Sequence, residues 1–280
     1  MTAPARTRVD AHIHLTRYWE DLPGTAYRPD LVYTVPSLLG EMDAAGVEYA
    51  VAIPDEHVPN VAATIEEGRT LLAESKGRLK LVSTIDPRIG EAEIGAALER
   101  WSNTPELVAI KLFPGYIPFY PHDTRLDPVY EFASRRKLPV MIHQGDTLAR
   151  DGVLKFARPI EVDEVAVRWR DIQFVLCHLG NPWIDEAAEL VYKNPNVWTD
   201  CSGLLPKPTA RHFRELFDRV RSLLLGVVLT VGDADRVLYG SDWPLESIAT
   251  AVELVATLPI PEEDREKILG GNAHRLYRLS

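Results

Sequence analysis

The sequence predicts a single (β/α)8 barrel, and three observations support this fold class. Short apolar runs alternate with amphipathic stretches of helix length from one end of the chain to the other. About eight such units can be counted, which is the number that a closed parallel barrel requires. No predicted strand is followed by the G-x-G-x-x-G motif of the competing open nucleotide-binding sheet. We therefore expect one barrel domain over residues 1–280.

The eight predicted strands are short and apolar, and each is bounded by polar or turn-forming residues. They cover residues 8–15, 49–54, the region 80–88, 107–114, 139–146, 172–180, 196–203 and 236–244. Predicted helices lie between them. Clear examples are SLLGEMDAAG, ATIEEGRTLLAES, PVYEFASRRK, IDEAAELVYK and TARHFRELFDRVRSLLL, in which apolar residues recur every three or four positions.

Two connections, 16–35 and 113–126, are longer than the turns around them and are rich in aromatic residues, Pro and Arg. Both follow strands, so both lie at the C-terminal end of the predicted barrel. Barrel enzymes place their active sites at that end, and long loops there commonly form pocket walls. We expect both loops to border a binding site.

The composition excludes several kinds of partner. The formal net charge of -10 and the pI near 5.3 disfavour nucleic acid and anionic membrane, since both need a basic surface. The expected partner is a small-molecule substrate, while the sequence leaves monomer and homo-oligomer open. The two cysteines, Cys177 and Cys201, form no C-x-x-C pair, and no apolar leader or membrane-length run is present, so we expect a cytoplasmic protein.

The first strand carries an H-x-H pattern. Side chains alternate along a strand, so Asp10, His12 and His14 share one face, and the two imidazoles point together into the barrel mouth. Neutral imidazole nitrogens bind zinc or a similar ion at ~2.0–2.1 Å. Alone, the pattern is a weak signal, because eight histidines in 280 residues produce such a pair by chance about 0.2 times.

Three further polar residues end apolar strands at the same pole: His143, His178 and Asp242. In strand six, alternation places Phe174 and Leu176 on the same face as His178, so this histidine is predicted to cap an interior stack. Taken singly, each residue is more often a core histidine or a helix-capping aspartate. The agreement of several strand ends favours one shared site over several unrelated roles.

With these motifs in this order, the sequence resembles the amidohydrolase superfamily, specifically the amidohydrolase-related branch that includes aminocarboxymuconate-semialdehyde decarboxylase. The likeness covers nearly the whole chain and rests on DAHIHL, IKLFP, PVMIHQG, CHLGNPWIDEA, YGSDWP and ILGGNAHRLYRL. It implies one divalent metal, zinc by default, bound by His12, His14, His143 and Asp242. It also implies that His178 lies beside the metal-bound water.

Asp242 and His178 are the expected catalytic residues. A divalent metal lowers the pKa of bound water toward ~7, after which Asp242 would accept a proton and His178 would orient the water or polarise the substrate. This chemistry predicts a hydrolase for amides, esters or lactones. The alternative is a non-oxidative decarboxylase of an aromatic or unsaturated acid, and the third hypothesis is a barrel that only binds a ligand. Trp243, where decarboxylases of this branch would carry Tyr or Phe, favours the hydrolase.

Lys111 ends strand four and has three interpretations. The resemblance allows a carboxylated lysine that bridges a second metal. A cation facing a substrate carboxylate is our preference, and a lysine extending to solvent is the third interpretation. Arg17, Trp19 and Trp243 are also predicted to contact substrate, through carboxylate contacts and stacking, although the loop residues could equally pack the loop against the barrel. We expect Asp200 to support a metal ligand from behind.

Overall fold

A computed structural model of the chain describes residues 8–15, 28, 31–54, 65–205 and 210–279. Eight parallel strands form one sheet whose spatial order follows the chain order, which confirms the predicted barrel. The strands are β1 (Arg8–His14), β2 (Val47–Ile53), β3 (Leu79–Thr84), β4 (Leu107–Leu112), β5 (Val140–Ile142), β6 (Phe174–Leu176), β7 (Val197–Asp200) and β8 (Val237–Leu238).

The barrel closes between β8 and β1 through backbone hydrogen bonds that continue past the short strand β8. The amide of Ala11 donates to the carbonyl of Tyr239 at 2.9 Å, and the amide of Asp242 donates to the carbonyl of His12 at 2.8 Å. One step further, the amide of His14 donates to the carbonyl of Trp243 at 2.7 Å. This closure places the last strand end directly against the H-x-H segment.

Helices accompany the sheet, and all of them except α9 carry buried apolar residues. They are α1 (Val35–Ala45), α2 (Ile65–Glu74), α3 (Glu91–Ser102), α4 (Asp127–Arg136), α5 (Asp163–Arg168), α6 (Ile184–Lys193), α7 (Phe213–Val231), α8 (Ile248–Ala256), α9 (Glu262–Glu266) and α10 (Asn272–Tyr277). Helix α7 runs past the predicted residue 225, because Val227, Val228 and Val231 extend its buried stripe.

Strand β6 corrects one prediction. Alternation predicts Phe174 on the interior face with His178, and this is wrong: the Phe174 ring packs against Tyr130 of α4, with centroids 5.9 Å apart. Cys177 belongs to the other set and faces the interior, where its Sγ accepts a hydrogen bond from Lys111. His178 still reaches the barrel mouth, because β6 has ended and the backbone turns through a left-handed conformation there, which breaks the alternation.

Two smaller expectations can also be compared with the described part of the chain. No helix there is long and apolar enough to cross a membrane. Cys177 and Cys201 are both buried, and neither forms a disulfide.

Candidate metal centre

Three donor atoms converge at the junction of β8 and β1. His12 Nε2 lies 3.3 Å from His14 Nε2, and Asp242 Oδ1 lies 3.5 Å from the first nitrogen and 3.1 Å from the second. Bonds of ~2.0–2.2 Å to a common ion impose separations of this size between neighbouring ligand atoms. Asp242 Oδ1 is buried and faces both nitrogens without a hydrogen bond of good geometry. The arrangement therefore fits a divalent cation.

Asp200 at the end of β7 determines which nitrogen of His12 faces this cluster. His12 Nδ1 donates to Asp200 Oδ2 at 3.0 Å, which leaves the Nε2 lone pair for the metal. Burial lowers the pKa of His12 to about 3, with Lys111 adding to the effect, so the imidazole stays neutral as a ligand must. Burial alone would raise the pKa of Asp200, but the surrounding His12, His178 and Lys111 hold it below its usual range.

Asp10 ties the two closing strands together beneath the donor atoms. Its Oδ1 accepts from the amides of His12 at 3.2 Å and Ser241 at 3.0 Å, and its Oδ2 accepts from the Tyr239 hydroxyl at 3.2 Å. Burial raises the pKa of Asp10 to about 7, although these hydrogen bonds act in the opposite direction. The contacts hold the H-x-H segment and the β8 end in one fixed relation.

His178 lies beside the donor cluster, with its ring centroid 4.8 Å from that of His12. Its Nδ1 is 3.1 Å from the carbonyl oxygen of Ser202, and since a carbonyl can only accept, Nδ1 carries the proton. Nε2 is then the nitrogen that can exchange a proton with a ligand. His178 and Asp242 both have left-handed backbones, at φ 61° and φ 55°. Such strain in non-glycine residues is concentrated at functional sites.

His143 approaches from the opposite side of the mouth. Its ring centroid lies 5.0 Å from His178 and 4.7 Å from Tyr116, so the loop 113–126 does reach the site as expected. His143 Nε2 is 2.9 Å from the carbonyl of Asp146, and this contact leaves Nδ1 as the nitrogen available to a metal. Burial, with His178 and Lys111 nearby, lowers the pKa of His143 well below its usual value.

Lys111 is fully buried inside the barrel, so the interpretation in which it extends to solvent is wrong. Its Nζ donates to Cys177 Sγ at 2.9 Å and lies 5.2 Å from the centre of the Phe113 ring. The ammonium group of Lys111 therefore lies inside the barrel beside Cys177. Any contact of Lys111 with a substrate carboxylate remains a prediction.

Trp243 is fully buried behind the site. Its ring stacks on Tyr33 at 5.0 Å and its Nε1 donates to Glu41 Oε1 at 3.2 Å. Glu41 also forms an ion pair with Arg28 at 2.6 Å, so the Arg28 side chain is held beside α1. The predicted substrate contacts Arg17 and Trp19 lie outside the described residues.

Sequence reasoning missed two residues beside Asp242. Gly203, at φ 65°, lies so close that a Cβ there would stand 2.6 Å from Asp242 Oδ2 and 3.0 Å from His178 Nδ1. Glu246 is buried, and its Oε1 accepts from the amide of Leu205 at 2.5 Å. Neither residue belongs to a metal-binding motif, because both act through loop geometry that spacing does not reveal.

His178 also offers a donor atom within 4.8 Å of those of His12 and Asp242. A separate set of donor atoms, from His12, Cys177 and Asp200, lies within the same distance of one another. Its members are already engaged: Lys111 donates to the Cys177 sulfur, and Asp200 accepts from His12 Nδ1. Burial also raises the pKa of the Cys177 thiol, which disfavours the thiolate that binds metal. The cluster with Asp242 is therefore the stronger candidate.

Comparison with known proteins places the chain in context. The amidohydrolase family model matches residues 9–279. The gamma-resorcylate decarboxylase of Polaromonas sp. is 25% identical over 180 residues, covering 59% of this chain and 55% of that protein. Three other curated relatives bear the same name. The chain thus matches little more than half the length of these relatives.

Solved structures share the fold at lower identity. A TIM-barrel protein of unknown function from Bordetella bronchiseptica aligns with TM-score 0.75 at 22% identity, over 96% of this chain and 98% of its own. A dihydroxybenzoic acid decarboxylase from Polaromonas sp., solved with manganese and an inhibitor, aligns with TM-score 0.71 at 18% identity, over 98% and 97%.

The curated relatives overturn one expectation of the sequence analysis. The identity of Trp243 favoured a hydrolase, whereas the matching curated relatives are named decarboxylases. The hydrolase prediction is therefore wrong, and these names support its alternative. The weight given to Trp243 was misplaced, because this side chain packs behind the wall rather than in the pocket. The metal in the Polaromonas structure is manganese, not the zinc expected by default.

Proposed function

Because the chain belongs to the amidohydrolase family, we propose that it is a metal-dependent, non-oxidative decarboxylase of an aromatic carboxylic acid. The observation that carries the proposal is the convergence of donor atoms from His12, His14 and Asp242. His178 lies beside them, with its Nδ1 bonded to the carbonyl of Ser202. The curated relatives of the chain are named decarboxylases. A hydroxylated benzoic acid is the substrate class we favour, from the names of the curated relatives.

One divalent ion would be held by His12, His14 and Asp242, with His143 as the fourth ligand through Nδ1. When bound, the ion would supply positive charge that orients and neutralises the anionic oxygens of the substrate. Manganese and zinc are the two ions to test, since one occurs in a relative and the other suits imidazole and carboxylate donors. A second metal on a carboxylated Lys111 forms no part of the proposal, because Nζ is engaged with Cys177.

His178 is the proposed proton carrier. Decarboxylation replaces the carboxylate on a ring carbon by a proton and releases carbon dioxide, so the site must deliver one proton for each turnover. The carbonyl of Ser202 holds the Nδ1 proton of His178, which leaves Nε2 to carry the exchanging proton. Burial lowers the pKa of His178, with Asp242 and Asp200 opposing the effect, so loss of its proton to a substrate carbon is favoured.

The test is a carbon dioxide assay on manganese-loaded, zinc-loaded and metal-free protein with a panel of ortho-hydroxybenzoic acids. We expect metal-dependent release of one carbon dioxide per product, and in heavy water one deuterium at the carbon that lost the carboxylate. His178→Asn should abolish turnover while leaving the metal bound. A protein that binds one metal per chain yet releases no carbon dioxide from any acid in the panel would contradict the proposal and favour a barrel that only binds ligands.

A further inference from the structure

The buried residue Glu246 links two strand ends that face the metal centre. Glu246 lies in the segment between β8 and α8 and is only 6% exposed. Its Oε1 accepts from the amide of Leu205 at 2.5 Å, and the amide of Leu204 contributes a second hydrogen bond. These amides belong to residues 202–205, here called the β7 loop. A side chain from one strand end therefore holds the backbone of the other.

The β7 loop contacts both residues that we expect to act in catalysis. The carbonyl of Ser202 accepts the Nδ1 proton of His178 at 3.1 Å and so selects its tautomer. Gly203 leaves no room for a side chain against Asp242 Oδ2. A shift of about 1 Å in this loop would release the Nδ1 proton of His178 and alter the space beside the Asp242 carboxylate.

We propose that Glu246 is a positioning residue, which holds the β7 loop and through it fixes the tautomer of His178 and the placement of Asp242. The positioning rests on the geometry alone, whereas its effect on turnover rests on the proposed function. Among the described side chains, it is Glu246 that accepts from the amide of Leu205. Removal of Glu246 would therefore leave a buried donor unpaired.

The conservative variant should preserve this contact. Burial raises the pKa of Glu246 well above its usual value, and the nearby Asp242 and Asp10 act in the same direction. Oε1 of Glu246 is the atom that accepts from Leu205. Glu246→Gln keeps a side chain of the same shape with an oxygen acceptor, while Glu246→Leu keeps a similar volume and removes the acceptor.

The experiment compares Glu246→Leu, Glu246→Gln and a control, Asn196→Leu. Asn196 donates to the carbonyls of Ala166 and Ile172 at the opposite end of β7, so its loss removes buried hydrogen bonds without touching the β7 loop. The first readout is the tautomer of His178 from nitrogen chemical shifts in metal-free protein. The second is the dissociation constant for Mn²⁺ alone, followed by electron paramagnetic resonance.

We expect Glu246→Leu to populate the Nε2-protonated tautomer of His178 and to weaken Mn²⁺ binding by about 10–100-fold. Glu246→Gln should match the parent protein, and Asn196→Leu should lose stability while keeping the parent tautomer and affinity. Should Glu246→Leu fail to fold, Glu246→Asp tests the same contact, because the side chain is one methylene shorter and its oxygen no longer reaches the amide of Leu205. If a folded Leu or Asp variant keeps the parent tautomer and affinity, or if Asn196→Leu changes them equally, the proposal is overturned. If the parent protein releases no carbon dioxide while Glu246→Leu still alters the tautomer and the Mn²⁺ affinity, the proposed function fails and the positioning role of Glu246 stands.

Discussion

The two sides of the barrel mouth are built differently. The β8–β1 side carries His12, His14 and Asp242, whose donor atoms lie 3.1–3.5 Å apart. The ring of His12 is oriented there by the carboxylate of Asp200, which belongs to a third strand, β7. On the β4–β5 side, Lys111 donates to the sulfur of Cys177, which follows β6, while His143 is engaged only locally, by a carbonyl three residues along the chain.

This difference indicates where metal affinity originates. Ligands held by partners from other strands are already in place before an ion arrives, so they lose little conformational freedom on binding. Nε2 of His143 contacts the Asp146 carbonyl, so in this arrangement Nδ1 is the nitrogen left for an ion. We infer that the β8–β1 side binds the ion and that the β4–β5 side adjusts the site around it.

The largest effect is expected from Asp242→Asn. The amide removes the negative charge and can present N–H groups to the two imidazole nitrogens, so Mn²⁺ affinity should fall by more than the ~10–100-fold typical of lost outer partners. Calorimetric titration with Mn²⁺ measures the loss. The matched control is Asp146→Asn, an exposed carboxylate at the same pole whose backbone carbonyl, and not its side chain, contacts His143. If Asp242→Asn bound Mn²⁺ as tightly as the parent protein, the inference that the β8–β1 side binds the ion would be wrong.

A smaller but still large loss is expected from Gly203→Ala. The added methyl group would stand 2.6 Å from Asp242 Oδ2 and so displace the carboxylate, and the left-handed backbone adds roughly 1–2 kcal/mol of strain. Gly232→Ala separates the two causes, since Gly232 is also left-handed at φ 86° but has no atom within 4 Å of the new Cβ. Thermal unfolding should detect strain in both variants. Only Gly203→Ala should weaken Mn²⁺ binding, and an equal loss in Gly232→Ala would refute the steric account.

A moderate effect is expected from His143→Gln on the β4–β5 side. The variant keeps a donor for the Asp146 carbonyl but loses the Nδ1 ligand, so Mn²⁺ affinity should fall by roughly tenfold, less than for Asp242→Asn. Parallel titrations of the two variants make the comparison direct. Equal losses would mean that both sides form one preorganised site.

The smallest effect on the site is expected from Asp10→Asn, whose main consequence is pH dependence of stability. The carboxyl of Asp10 ionises at about 7 in the folded protein, against ~3.9 in an unfolded chain. Between these values only the folded state holds the proton, so rising pH destabilises the parent by about 1.4 kcal/mol per pH unit through this group. Below ~3.9 and above about 7 the two states are equally protonated, and the contribution is constant.

Asparagine cannot ionise, so Asp10→Asn should lack this contribution. Urea unfolding of metal-free protein at about pH 4.5 and about pH 7 should therefore show the variant gaining stability relative to the parent as pH rises. A stability difference that does not change with pH would show that Asp10 is already ionised in the folded protein.

Part of this site could be predicted from the sequence because it depends on strand geometry. Alternation in β1 places His12 and His14 on one face, and parallel closure brings the β8 end beside them. The same rule failed in β6, where the left-handed backbone of His178 breaks the alternation and leaves Phe174 on the helix side. Such a turn is set by the hydrogen bonds that hold it, and spacing does not record them.

The supporting residues escaped prediction for a related reason. Asp200 was recognisable as a polar residue that ends a strand, and it does hold His12 from behind. Gly203 and Glu246 lie after the strands end, and their importance comes from loops that meet only in the folded barrel. The identity of the reaction was equally beyond the motifs, because the same imidazole and carboxylate donors can hold a metal for either hydrolysis or decarboxylation.

The most direct test is a crystal structure of the Mn²⁺-loaded protein with anomalous scattering at the manganese edge. Our account predicts one strong peak per chain, within ~2.0–2.3 Å of His12 Nε2, His14 Nε2 and Asp242 Oδ1. A peak between Cys177 and Asp200, or no ordered ion under saturating Mn²⁺, would contradict the account.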